Sequence, residues 1–272
     1  MNLIAAISQF SLTRTFGIEL EFFGIDQERV QEVLEGAGVA CYLDDGDDYD
    51  CGGDECGASD CRTCNPQTRS GWKITDDGSI YPNASSSYDP GVELVSPVLQ
   101  GQDGLLEVMK VAKLMMNAGA QVNKTCGFHV HIGASDLSGD TFVNLVKRYA
   151  LHETLIDSFM PRSRRESRNT YCRSVVNLLS YVSHQRQGSS MQTVASQFHD
   201  RYFKLNLCAY LRHGTVEFRH HSGTVSAEKI VNWIIFCQNF VETSVNSDTQ
   251  EVFTGLPAAT ASYFNRRAAA AL

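Results

Sequence analysis

The sequence predicts a mixed α+β fold, with helices packed on one side of an antiparallel sheet. Three observations lead there. Segments with period-two hydrophobicity precede the helical ones, long helices with an apolar stripe follow them, and the one pair of strands joined by a short turn reads as a hairpin. At 272 residues and 43% hydrophobic content, the chain can build one large domain, or one domain with an insertion.

Taken in order, residues 15–23 alternate Phe16, Ile18, Leu20 and Phe22 with polar neighbours, the mark of a half-buried strand. Asp26 caps a short helix through Leu34, stopped by Gly36 and Gly38, and residues 39–43 form a second strand. Residues 44–70 are rich in Asp, Gly and Cys and nearly free of aliphatics; they cannot join a core and read as an inserted loop. Strands are expected at 72–75 and 92–96, a helix at 103–118, a strand at 126–133 and a helix at 140–160 ended by Pro161. Residues 169–187 and 190–198 read as helical, 201–210 and 213–221 as the hairpin, and 227–245 as a last long helix capped by Ser226. The expected organisation is a catalytic domain over 1–248 carrying the 44–70 insert, followed by a polar, alanine-rich mobile tail over 249–272.

A formal net charge of -8 argues against a general nucleic-acid binder. No apolar run reaches the roughly 18 to 20 residues of a membrane span, and the first residues lack the pattern of a signal peptide, so a cytoplasmic location is expected. Nine cysteines, an odd number scattered mostly through core segments, fit reduced thiols better than a disulfide framework.

The informative residues sit opposite the apolar faces. Glu19 and Glu21, two apart, leave one side of their strand, Glu93 projects opposite Val92 and Leu94, and His129 and His131 oppose Phe128, Val130 and Ile132. Thr215, Glu217, Arg219 and His221 alternate with Val216, Phe218 and His220. If these strands share a sheet, their carboxylates converge and repel unless a cation neutralises them. Carboxylate-rich sets with few histidines suit Mg²⁺ or Mn²⁺, which commonly bridge nucleotide phosphates, and an arginine on the same face can offset phosphate charge.

The strings Phe16-Gly-Ile-Glu-Leu-Glu-Phe, Trp72-Lys-Ile-Thr-Asp-Asp-Gly-Ser-Ile, Gly91-Val-Glu-Leu-Val-Ser-Pro, Cys126-Gly-Phe-His-Val-His-Ile-Gly and Gly214-Thr-Val-Glu-Phe-Arg-His-His-Ser-Gly-Thr resemble the amidoligase family, within the glutamine synthetase and glutamate–cysteine ligase superfamily. The resemblance implies a curved antiparallel sheet like the glutamine synthetase catalytic domain, with helices outside. It implies an ATP-dependent carboxylate–amine ligase using two or more Mg²⁺ or Mn²⁺ ions, with small-molecule or peptide substrates. On it, Glu19 and Glu21 ligate different ions, Glu93 joins one site, and His129 and Glu217 complete the other. His131 meets nucleotide phosphate and Arg219 the transferred phosphoryl group, with Glu21 and Glu217 counted among the catalytic residues. Asp77 fits a family motif or a turn-stabilising role equally.

Four arginines fall within seven residues at 162–168. A similar string recurs in amidoligases, and Arg164, Arg165 and Asn169 are expected to bind phosphate or an anionic acceptor. Asn206 is expected on a polar face, orienting ATP or substrate or satisfying a nearby backbone group. Cys51, Cys56, Cys61 and Cys64 suit a structural zinc ion that would supply folding energy to the insert, although only the last pair has the usual C-x2-C spacing. Two alternatives stay open: a phosphotransferase on the same sheet, and a catalytically silent module that holds a protein partner through the insert. Self-association is a further expectation, because superfamily relatives can place sites between subunits.

Overall fold

The computed structural model describes residues 3–11, 13–44, 70–81 and 91–270. Its strands are β1 Thr15–Phe22, β2 Cys41–Leu43, β3 Trp72–Asp77, β4 Gly91–Val95, β5 Leu99–Gln100, β6 Gly127–Gly133, β7 Leu205–Asn206 and β8 Thr215–Ser222. The helices are α1 Leu3–Ser8, α2 Gln27–Gly36, α3 Gly101–Ala118, α4 Gly139–Ser158, α5 Leu179–Ser183, α6 Met191–Ala195, α7 Ala209–His213, α8 Ala227–Ser244 and α9 Ala258–Ala269. The strands form one sheet in the order β2-β3-β4-β1-β6-β8-β7, with β5 pairing the start of β1. Every pairing is antiparallel except β2 with β3, which is parallel where only antiparallel neighbours were expected. The architecture is mixed α+β.

Alternation decides which face is the core. Phe16, Ile18, Leu20 and Phe22 of β1, with Phe128, Val130 and Ile132 of β6 and Val216 and Phe218 of β8, are buried in one hydrophobic cluster with α3, α4 and α8. α8 is buried along nearly its whole length, including the polar Asn232, Gln238 and Asn239, so no broad face of it is left to solvent. Asp26 caps α2 by accepting from the Arg29 backbone N–H, as its position before the helix predicts.

Three local expectations are corrected. First, residues 169–174 are not helical: Asn169 Oδ1 accepts the Tyr171 N–H, a local turn that competes with helix, and Ser174 caps a 3-10 turn at Val175–Leu178 that leads into α5. Second, residues 201–210 contribute only two strand residues, Leu205 and Asn206, followed by α7, so the link to β8 is a short helix rather than a tight turn. Third, the end of the chain is not a free tail. Arg148, 0% exposed on α4, donates to the carbonyls of Phe240, Gln250 and Glu251 and to the hydroxyls of Thr243 and Ser244. That anchors the segment leading to α9. There, Thr260, Tyr263 and Phe264 recur at helical spacing and are buried, with Phe264 ringed by Phe159, Trp233, Phe236 and Phe253.

Truncating Phe264→Ala should therefore cost about 3–5 kcal/mol, the usual range for a buried Phe. Urea denaturation measures it, and an unchanged midpoint would show that α9 does not belong to the core.

Candidate active site

The other face of the sheet is polar, and strand register assembles it. Glu19 and Glu21 leave β1 opposite its apolar residues. Glu21 stands directly opposite Glu93 on β4, and Glu19 opposite His129 on β6. One strand further, His131 faces Glu217 on β8, and Asn206 on β7 faces the same glutamate. On the far side, Thr75 of β3 faces Glu93 while Asp77 comes level with Gly91.

The side chains interlock. His129 Nδ1 lies 2.7 Å from Glu19 Oε2 and its Nε2 3.5 Å from Glu21 Oε1. His131 Nε2 lies 3.1 Å from Glu19 Oε1, and its Nδ1 2.9 Å from the Thr215 hydroxyl. Glu217 accepts from Asn206 Nδ2 at 2.6 Å and pairs with Arg219, while Glu21 accepts from the Gly127 backbone N–H. Three overlapping sets have ligand atoms within 4.8 Å of one another: Glu19, Glu93 and His129; Glu19, His131 and Glu217; and Glu21, Asp77 and Glu93. Oxygen-rich sets with at most one imidazole could hold hard divalent ions such as Mg²⁺ or Mn²⁺.

Charge crowding marks the carboxyls individually. Burial pushes the Glu93 carboxyl well above the usual range, and the negative charges of Glu19, Glu21 and Asp77 push it further, with Lys73 offsetting part. Burial would also raise Glu19, but hydrogen bonds from His129 and His131 outweigh it and hold Glu19 well below the ordinary value. Glu217 is lowered too, the adjacent Arg219 overcoming burial. The His131 imidazole is raised against its own burial by Glu19 and Glu217.

Across the sheet the sign reverses. Arg164 and Arg219, with Arg201, Arg212, His199 and His213, line the same cleft of about 830 Å³ as the carboxylates. Tyr171 and Tyr202 meet edge to face beside Arg219, their ring centroids 5.2 Å apart.

Of the residues singled out in the sequence, Glu19, Glu21, Glu93, His129, His131, Arg164, Asn169, Asn206, Glu217 and Arg219 all line this cleft. Asn206 donates to Glu217 through its amide nitrogen while its oxygen accepts from the Cys208 N–H, so it satisfies a nearby backbone group and braces a cleft carboxylate. Asp77 accepts from the Ser79 N–H, the turn-stabilising role, and it also belongs to one of the carboxylate sets. Arg165 does not enter the cleft. Its guanidinium turns back to the carbonyls of Met160 and Ser158, satisfying groups that the end of α4 leaves open.

His221 is also misplaced by simple alternation. Val130 pairs with Phe218 but Phe128 with His221, so β8 holds one extra residue there, a β-bulge. Beyond it His221 turns to the core side against Phe128 and Trp233, and burial pushes its imidazole down to about 3. Cys51, Cys56, Cys61 and Cys64 lie outside the described residues; the five described cysteines are free thiols. The residues missed in the sequence include Tyr171, Tyr202, His199, Arg201, Arg212 and His213. Arg212 and His213 immediately precede the Gly-Thr-Val-Glu string, and that adjacency was the available signal.

An open sheet whose polar face sets carboxylates and imidazoles against guanidinium groups across one cleft defines a site suited to cations and the anions they bridge. A family model described as "Putative amidoligase enzyme" matches residues 12–241, and the chain belongs to that family. No curated protein matches it.

Gly127 sits under the cluster, where a Cβ would lie 2.7 Å from His129 Nε2 and 3.0 Å from Glu21 Oε1. Gly127→Ala should therefore displace both side chains and weaken Mn²⁺ binding by about 10-fold. Its melting temperature should stay near wild type. Isothermal titration tests this, and unchanged affinity would mean the cluster does not hold the ion.

Proposed function

We propose that the protein is an ATP- and divalent-ion-dependent carboxylate–amine ligase that forms an amide through an acyl phosphate. The observation that carries this reading is the convergence of Glu19, Glu21, Glu93, His129 and Glu217, from four strands, beside Arg219. The open, mostly antiparallel sheet with helices on one face supports a fold of the glutamine synthetase catalytic kind. Zinc in the insert rests on its four-cysteine composition alone.

A carboxylate is a poor electrophile because it is already an anion. Transfer of the γ-phosphoryl group of ATP to one of its oxygens breaks the bond from the γ-phosphorus to the β–γ bridging oxygen and releases ADP. An amine, once its ammonium form has lost a proton to solvent, attacks the acyl carbon; the C–O bond to phosphate breaks, phosphate leaves, and the nitrogen gives up one further proton to solvent as the amide forms. Divalent ions, when bound, offset charge on the phosphate oxygens. Arg219, fixed by Glu217, supplies a stationary positive charge for the phosphoryl oxygens. Arg164 and Asn169 hold nucleotide or acceptor anions from the opposite wall, and His131 lies between Glu19 and Glu217 where a phosphate oxygen would approach. The carboxylate-lined wall, with Asp76 and Asp77, suits an incoming ammonium.

Release of ADP and phosphate should require both an amine and a carboxylate, with amide detected by mass spectrometry, and Glu19→Ala should lose at least about 100-fold of it. A phosphorylated product that accumulates without amide would replace this reading with phosphotransfer. Full activity in Glu19→Ala would remove the site.

Ion binding should also release protons. Burial and the neighbouring carboxylates hold a proton on Glu93 to higher pH than on an ordinary carboxyl, and ligation must displace it, so divalent affinity should rise with pH. Calorimetry in two buffers of different ionisation enthalpy measures the release; heats independent of buffer would contradict it.

A further inference from the structure

Behind the arginine side of the cleft lies a buried charged cluster with no assigned role. Lys204 is 0% exposed, and its Nζ donates to Glu153 Oε1 and Asp157 Oδ1, both at 2.6 Å. The two carboxylates are four apart on α4 and so share one face of the helix. His220 Nε2 lies 2.8 Å from Asp157 Oδ1 and 3.0 Å from the Arg164 carbonyl; both partners accept, so Nε2 carries the proton. Its Nδ1 is then free to accept from the Tyr149 hydroxyl at 2.7 Å.

What this cluster grips is one loop. Asp157 Oδ2 accepts the N–H of Glu166, the one described non-glycine residue with positive φ, at 56°. Glu153 Oε2 accepts the Ser174 hydroxyl and the Val175 N–H. The Lys204 backbone N–H donates to the Arg173 carbonyl, and its carbonyl accepts from Arg219. The clasps fall at 164, 166 and 173–175, and the three loop residues that line the cleft, Arg164, Asn169 and Tyr171, lie at or between them. Arg164 is 3% exposed, and its Nε has no hydrogen-bond partner.

Stability alone does not account for such a cluster, because a buried ion set can often be replaced by apolar side chains with no loss. A loop that must hold a left-handed residue and present a buried guanidinium needs directional anchors instead. We propose that Glu153, Asp157, Lys204 and His220 are positioning residues, which act through the 164–175 loop to hold Arg164, Asn169 and Tyr171 over the carboxylate–imidazole face. The inference rests on the reading of that side of the cleft as a phosphate-binding wall.

The test is a triple variant, Glu153→Leu, Asp157→Leu and Lys204→Met, which removes the ions and the acceptors together. It should fold cooperatively and bind Mn²⁺ within about 3-fold of wild type, yet bind ATP about 10- to 100-fold more weakly. Amides of residues 164–175 should exchange faster while those of β1 and β6 stay protected. Wild-type ATP affinity and unchanged loop exchange in the triple variant would overturn the proposal. If wild type itself binds no ATP, the ligase reading fails and loop exchange alone decides this one. If the triple variant does not fold, His220→Phe, which keeps an aromatic ring but drops the hydrogen bonds to Asp157, the Arg164 carbonyl and Tyr149, carries the same test: weaker ATP binding is expected, and unchanged ATP affinity overturns the proposal.

Discussion

Glu21 and Glu93 stand directly across from one another on neighbouring antiparallel strands, with Glu19 one step along and Asp77 one strand out. Like charges in that relation repel, and a sheet holds them at fixed spacing, so they cannot drift apart as they would on a loop. The surroundings answer this repulsion. Two imidazoles from β6 insert between the carboxylates, Arg219 neutralises Glu217, and Glu93 is left with its carboxyl pushed upward. What the protein groups leave uncompensated, a divalent cation can complete.

The same strands that impose this strain keep the rest of the molecule ordinary. Every charged residue of β1 sits on the cleft face, leaving its apolar residues free to pack on the helix layer. The bulge in β8 extends this division. It keeps Glu217 and Arg219 on the cleft side, yet sends both His220 and His221 into the helix side, where one joins the buried cluster under the arginine loop and the other packs on Trp233. Two networks result, back to back on one sheet: one suited to cations, the other fastening the loop that carries Arg164 into the cleft.

Much of the cleft was legible in the sequence because period-two alternation is a strict rule within a regular strand. Glu19, Glu21, His129, His131 and Glu217 could be placed on one face without knowing the sheet order, and the motif resemblance supplied that order's consequence. Legibility ended where alternation did. His221 follows an extra residue that no local pattern announces. Arg164 and Arg165 are adjacent and chemically alike, and only tertiary packing decides that one enters the cleft while the other closes the end of α4. Lys204 shares the parity of Asn206 but precedes the two-residue strand, so it points to Glu153 and Asp157 instead. The end of the chain looked like a tail because its composition is plain, and the residues that dock it are Phe264 and, distant in sequence, Arg148.

The most direct measurement is the affinity of the purified protein for ATP with and without Mg²⁺, in wild type and in Glu93→Ala. If the carboxylate–imidazole face binds nucleotide through cations, Mg²⁺ should tighten ATP binding by about 100-fold or more in wild type and by far less in the variant. Equal affinity with and without the ion would mean that these side chains meet for some other reason.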